Sequence, residues 1–352
     1  MTAARLLDHS TRIEVDVDEQ RMTMREALNL ALDQALARDE RVFLLGEDIA
    51  DPGSSGPTRG LSTKYGTDRV LDTPISEAAI VGAAIGAAME GFRPVAEIMI
   101  MDFIGIAADQ IVNHAAKLRF MTGGRTTAPI TVRTQVYGGL GTGATHSQSL
   151  EAWFMHVPGL KVIVPSTPRD AKGLLTSAIF DDDPCVFLET IRLQGQRGLV
   201  PVDPGFSIPL GRADVKRPGT DVTLIGYGRG VVESLGAAAV LEAEGVSAEV
   251  LDLRTLVPLD VPTMVDAVRR TRRAVVVHDA VRFAGPGAEI AAILQRELFG
   301  VLAAPVERVG ARFVPNPAPS ALESQIYPNT ERIAAAVRRT LRSEIIEDGA
   351  CG

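Results

Sequence analysis

One carboxyl group stands out in this sequence. Glu77, in DTPISEAAIVGAAIGAAMEG (residues 72–91), opens a predicted helix whose next twelve residues carry no charge. On that helix Gly82, Ala83, Ala84 and Gly86 would let a second backbone approach closely. A carboxyl in such surroundings is poorly solvated, which raises its pKa, while the helix N-terminus pulls the other way. Held between those influences it could exchange a proton near neutral pH, as acid–base catalysis requires. On this segment alone the plainer reading is favoured, a first-turn acid that suits the helix dipole.

The customary signatures of catalysis are missing. There is no GxxxxGK[ST], GxSxG or HExxH, and no strand-borne GxGxxG that opens a helix. GGLGTG at 138–143 has that spacing only loosely and leads into Thr145-His146, which makes it a weak phosphate cradle. The five histidines, His9, His114, His146, His156 and His278, include no pair at i, i+4 on one helix face, which argues against a histidine metal site. His156, near the turn at Pro158-Gly159, reads as a packing residue. Asp181-Asp182-Asp183 closes a predicted helix whose C-terminus is already negative. Solvation relieves that repulsion in the plain reading, a bound cation in the sharper one.

These residues need a scaffold, and the chain alternates helical and strand-like patterns from Thr23 onward. Thr23 with Glu26 forms a capping box ahead of Leu28, Leu32 and Leu36. Apolar runs at 41–46, 94–99, 129–134, 160–164 and 185–189 read as buried strands, with helices predicted at 76–91, 104–121 and from Thr167. Thr167 as N-cap, Pro168 at the first helical position and Asp170 in the first turn mark that last start. Strands at 222–226, 248–253 and 274–278 alternate with helices at 231–244 and 262–271, and a last helix spans 329–342. The expected fold class is α/β with two parallel-sheet domains. The expected boundaries are an N-terminal tail at 1–20, a first domain at 21–200, a Gly/Pro/Arg-rich linker at 201–220, a second domain at 221–342 and a tail at 343–352.

Composition narrows the function. A net charge of −8 argues against nucleic acid and anionic membranes as partners. Cys185 and Cys351, the only two cysteines, support neither a disulfide framework nor a cysteine zinc site, which fits a reducing, cytoplasmic compartment. The first twenty residues contain no apolar stretch of a secretory signal, and the longest apolar run, 78–89, is too short to span a bilayer.

DTPISE, GFRPVAEIM, DQIVNHAAK, THSQSLEAWFMHVPGLKVIVPSTPRDAKGLL and DLRTLVPLD occur in that order. Together they resemble the β subunit of the E1 component of 2-oxo acid dehydrogenase complexes, the pyruvate, branched-chain and acetoin enzymes. The resemblance runs from about Met22 to Arg342. It implies a thiamine-diphosphate pyrimidine-binding, transketolase-like domain followed by a transketolase C-terminal-like domain. It also implies that the cofactor lies at an interface with an α subunit, in an α2β2 heterotetramer that hands its acyl group to lipoyl-bearing E2.

The resemblance also implies site residues. Glu77 matches the glutamate that hydrogen-bonds N1′ of the aminopyrimidine, so that the ring can remove the thiazolium C2 proton. Phe103 matches the aromatic residue packed on that ring, with Met101 beside it. His146 matches a histidine that steadies intermediates and passes a proton in acyl transfer. Glu47 and Asp109 match acids of a proton path between the two active sites. A potassium ion is implied at Ile130, Ala178, Ile179, Asp181 and Asp183. The GDG signature that holds diphosphate and Mg²⁺ in thiamine enzymes is missing, so that half of the site is expected from the α subunit. The family's GGFGAEI reads AGPGAEI at 284–290, and Pro286 in place of the aromatic puts the local turn in question. Three readings remain: a 2-oxo acid decarboxylating E1, an acetoin-cleaving E1, and a non-catalytic assembly subunit of the same fold. A self-contained transketolase is opposed by the length and the missing GDG.

Overall fold

The computed structural model describes residues 18–50 and 56–342. Most of the expected N-terminal tail, the whole C-terminal tail with Cys351, and residues 51–55 lie outside the described residues. The strands are β1 Glu19–Thr23, β2 Val42–Gly46, β3 Val70–Asp72, β4 Arg93–Ile100, β5 Thr131–Val136, β6 Lys161–Ile163, β7 Cys185–Thr190, β8 Arg197–Pro201, β9 Asp214–Arg217, β10 Val222–Gly226, β11 Ala248–Asp252, β12 Thr255–Val257, β13 Ala274–Val281 and β14 Glu307–Ala311.

Strands that read as continuous apolar runs must be covered on both faces, and they are. A seven-stranded sheet runs in the order β12-β6-β7-β5-β4-β2-β3, all neighbours parallel except β12. One face packs on the helices Met24–Arg38 and Pro168–Ile179 through Leu28, Leu32, Leu174 and Leu175. The other packs on the helix Glu77–Met89 and the segment that follows β4. The local start signals act as expected: Thr23 and Glu26 cap each other reciprocally, and Thr167 Oγ1 accepts the Asp170 N–H. A five-stranded sheet, β14-β13-β10-β11-β9, carries the helices Arg229–Glu242 and Thr330–Leu341 on one face and Val261–Thr271 and Pro286–Glu297 on the other.

The two sheets are joined more closely than two domains on a linker. One apolar cluster runs from Ile80, Ile98 and Val132 of the first through to Ile225, Leu251 and Val276 of the second. Strand β12, from the DLRTLVPLD stretch, leaves the second half and adds antiparallel to β6 at the edge of the first sheet. Asp170, fully buried on the helix Pro168–Ile179, meets Lys216 Nζ at 2.5 Å and Arg254 Nη2 at 2.7 Å, both from the second half. Residues 201–220, expected as a linker, include β9, which pairs with β11.

Other expectations are corrected. The helix expected over 104–121 is broken into a 3₁₀ turn at Met101–Gly105, a π-helical stretch at Gln110–Ala115 and an α-helix at Ala116–Met121. A widened turn of this kind re-aims side chains that a straight helix would not present together. Gly82 faces the Gln110 side chain, not a backbone, and a Cβ at Gly86 would meet nothing within 4 Å. Pro286 sits at the first turn of its helix, where proline suits the fixed φ and the spare N–H, and Ala284, two residues earlier, is left-handed at φ +51°.

The junction contains three buried titratable groups. Tyr227 Oη donates to Glu151 Oε1 at 2.8 Å, and its ring stacks on that of His278 at 6.2 Å. Burial pushes Glu151 up to about 7 and His278 down to about 4. From pH 4.5 to about 7 the unfolded chain has lost the Glu151 proton that the folded chain keeps, so this group lowers stability as pH rises. From about 4 to 6.5 His278 does the reverse, because only the unfolded chain takes up its proton. The slopes oppose each other in the native protein. Urea titrations at several pH values should show Glu151→Gln gaining stability relative to wild type as pH rises, by up to roughly 1.4 kcal/mol per pH unit, and His278→Gln losing it.

Candidate active site

Ligands of open parallel sheets bind beyond the carboxyl ends of the strands. Here four neighbouring strands, β5-β4-β2-β3, deliver the expected residues to that edge. Glu47 follows β2, Glu77 opens the helix after β3, Met101 to Phe103 follow β4, and the loop carrying His146 follows β5. The edge is held in shape by Asp72, whose Oδ1 accepts the N–H groups of Ile49 and Ala50 at 2.7 Å each. Asp48, just before them, takes a left-handed φ of +52°, a conformation Asp tolerates better than most residues.

Glu77 is buried, at 7% exposure. Its helix has no side-chain cap, and among the described residues no donor of the chain bonds its carboxylate. Glu47 is half-buried, and burial raises its pKa, helped by the negative charges of Asp48 and Glu77. The two acids therefore share one field. Phe103 and His146 meet edge to face, ring centroids 5.2 Å apart at 80°. Thr145 Oγ1 lies 2.9 Å from His146 Nδ1. Asp102 ties the β4 exit to the loop by accepting from Gln148 N at 3.2 Å and Nε2 at 2.8 Å. Sequence reading did not single out Asp102, because only the tertiary approach of residue 148 gives it work. A buried carboxylate without an internal donor, an aromatic face and a histidine on one rim fit a flat, weakly basic aminopyrimidine, which would supply the missing hydrogen bond.

The other expected residues are placed differently. The Met101 side chain is fully buried and its Sδ takes the Leu150 N–H at 3.5 Å, so it supports the loop from inside. Asp109 is exposed, bonded to Asn113 Nδ2 at 2.7 Å and near His114. His156, expected to pack, is exposed. At the acidic turn, Lys161 Nζ contacts both Asp181 oxygens at 2.6 and 2.7 Å, Arg119 Nε meets Asp183 at 2.6 Å and Arg93 Nη2 meets Asp182 at 2.7 Å. The carbonyls expected for potassium have donors too: Ile130 O accepts from Cys185 N, Ala178 O from Asp181 N, and Ile179 O from Arg93 Nη1. So arranged, the set does not fit a potassium ion, because cationic side chains already neutralise it.

Residues 20–195 match the family model for the transketolase pyrimidine binding domain, and residues 211–333 that for the transketolase C-terminal domain. The acetoin:2,6-dichlorophenolindophenol oxidoreductase subunit beta of Cupriavidus necator is 45% identical over 92% of this chain and 98% of its own. The mitochondrial pyruvate dehydrogenase E1 component subunit beta-2 of Oryza sativa is 44% identical over 90% of this chain and 86% of its own. The corresponding mitochondrial subunit beta of Caenorhabditis elegans is 44% identical over 96% of both. Among solved structures, the inactive beta4 tetramer of a split-gene transketolase superposes with a TM-score of 0.75 at 25% identity, covering 91% of this chain and 98% of that one. A transketolase mutant from Pichia stipitis shares the fold at a TM-score of 0.67 and 18% identity, over 92% of this chain and 47% of that one.

The acidic turn gives a direct test of its cation. Lys161→Ala should cost about 1.5–3 kcal/mol, the range for charge-assisted hydrogen bonds. Its melting temperature should then rise when KCl replaces NaCl at constant ionic strength, while that of the wild type stays put.

Proposed function

The chain belongs to the family of β subunits of the E1 components of 2-oxo acid and acetoin dehydrogenases, built from transketolase pyrimidine-binding and C-terminal domains, and on that premise we propose that it forms the pyrimidine half of a thiamine-diphosphate site. The observation that carries this reading is Glu77, a buried residue at the carboxyl edge of a parallel sheet whose carboxylate takes no donor among the described residues. Thiamine diphosphate, when bound, supplies a nucleophilic carbon for the keto group and an electron sink for the bond that breaks next to it. Glu77 would hold the aminopyrimidine by sharing a proton with one of its ring nitrogens. Phe103 would pack against the ring and keep water from that contact, which would strengthen the hydrogen bond. His146 passes a proton to or from the substrate during acyl transfer.

The rest of the site comes from elsewhere. With no GDG in the chain, the diphosphate and its Mg²⁺ are assigned to an α subunit. Exposed apolar side chains beside the site residues in sequence support that: Ile75 and Ile106 are 74% and 60% exposed. Such a surface in a water-soluble position is covered by a partner. The assembly we propose is α2β2, with a second β subunit, the acids Glu47 and Asp109 between its sites, and lipoyl-E2 as acceptor. Its reaction is decarboxylation of pyruvate or a branched-chain 2-oxo acid; the acetoin enzyme among the relatives favours cleavage of acetoin as the second reading. No step is assigned to potassium. A cytoplasmic location belongs to the same proposal, supported by the buried free thiol of Cys185, whose pKa burial pushes far up; no helix among the described residues is long and apolar enough to cross a membrane.

Co-expression with the α partner decides among the readings. The assembled enzyme should exchange the C2 proton of thiamine diphosphate, and Glu77→Gln should slow that exchange by roughly 10²–10⁴-fold while folding normally. Exchange at the wild-type rate in the variant would remove Glu77 from the mechanism, and activity surviving loss of Glu77, Phe103 and His146 together would make the chain an assembly subunit. Parallel assays with pyruvate, branched-chain 2-oxo acids and acetoin identify the substrate.

A further inference from the structure

We propose that Glu323 is a positioning residue: from the second half of the chain its carboxylate fixes the glycine-rich loop that carries His146. The carboxylate is buried, at 2% exposure, and accepts the N–H of Gly139 at 2.8 Å and of Gly141 at 2.7 Å, one on each oxygen. Both glycines are left-handed, at φ +89° and +73°, as is Gly143 at +80°. A run of such glycines has many conformations of similar energy, so something outside it must choose one. Backbone N–H groups in a run of this kind form a concavity that takes an anion. Here the anion is a side chain of the same polypeptide, which occupies the place a phosphate would otherwise take.

The partnership binds both sides. Among the described residues Glu323 has no cationic partner, and a buried carboxylate without one depends on the N–H groups it accepts. A Cβ at Gly141 would come within 3.0 Å of Ala318 O, so the loop lies directly on the segment leading into the helix Ser320–Glu323. Beyond His146 the loop is held again: Tyr327 Oη and Asn316 Nδ2 donate to Ser147 O at 2.8 and 2.9 Å. Between these anchors Thr142 Oγ1 donates to His146 O at 3.0 Å. His146 is thereby fixed from before and after, in the edge-on contact with Phe103. The role rests on the reading of His146 in acyl transfer given above, while the loop order it predicts does not.

The test uses the assembled α/β enzyme with thiamine diphosphate. Glu323→Gln keeps the shape but turns one acceptor into a donor facing an N–H. It should leave C2-proton exchange and thiamine diphosphate affinity within about twofold of wild type. Acyl transfer to a lipoyl domain should fall at least tenfold in kcat, with the histidine limb of the pH profile shifted. His146→Ala with Glu323→Gln should be no slower than His146→Ala alone, since residues that act as a unit are not additive. Independently of activity, the amides of residues 139–147 should exchange hydrogen at least tenfold faster in Glu323→Gln. Unchanged amide exchange, or rate losses that multiply in the double variant, would overturn the proposal. Should Glu323→Gln fail to fold, Tyr327→Phe, which frees one side of the Ser147 anchor, is measured in the same way and must show the faster amide exchange. A wild-type enzyme that exchanges no C2 proton would sink the functional reading, and the amide measurement would still decide on the loop.

Discussion

The structure depends on one constraint: two parallel sheets share a single apolar core and a single sheet edge. An open parallel sheet presents its carboxyl edge to solvent, and the loops there are the least ordered part of the fold. By extending the core from Ile80 and Val132 through to Ile225 and Val276, and by adding β12 to β6, the chain sets the second half against the first half's loops. The ion cluster at Asp170 and the Glu151–Tyr227 bond then fill polar positions that this closure buries. Each of those groups is costly to bury alone and is tolerated because a partner from the other half satisfies it.

How much of this is legible in the sequence follows from range. Features set within a few residues are readable: the Thr23 capping box, the Thr167-Pro168 helix start and the apolar strand runs are all where the residues place them. Glu77 is readable as an odd residue, since twelve uncharged neighbours surround it in sequence. What is decided at long range is not. Nothing within 104–121 marks the π-helical stretch, and β9 and β12 are short segments whose partners, β11 and β6, lie far from any periodicity. Asp102 and Glu323 look like unremarkable acids until residues 148 and 139–141 reach them. GGLGTG is the instructive middle case: its glycines hint only weakly at an anion-binding loop, and the fold shows the Glu323 carboxylate on its N–H groups.

Charge is handled in two opposite ways within the first sheet. At the acidic turn Lys161, Arg93 and Arg119 each meet a carboxylate in a partly solvated setting, so the local balance is close to neutral. Deeper, Arg133 on β5 is held between Glu97 on β4 and Glu189 on β7 at 2.7 and 2.6 Å, all three buried. Burial pushes Glu189 upward against the pull of Arg133. Such a triad adds little net stability over a well-packed apolar trio, yet it fixes the register of three neighbouring strands, because a slip of one residue would strand a charge.

Against that background Glu77 is the exception. Elsewhere among the described residues buried carboxylates find a partner: Asp170 has Lys216 and Arg254, Glu189 has Arg133, Glu151 has Tyr227 and Glu323 has two N–H groups. Glu77 is buried without one, on the rim where Glu47 adds a like charge. Glu77 takes no donor among the described residues and so is open to one that binds at this edge. A donor bound there would stabilise the folded protein by mass action. Ile75 and Ile106, near it and Phe103 in sequence, are exposed as well. A carboxylate without a donor from the described residues, with uncovered apolar side chains near it in the chain, describes half of a site: the first is open to a bound donor and the second to a covering surface.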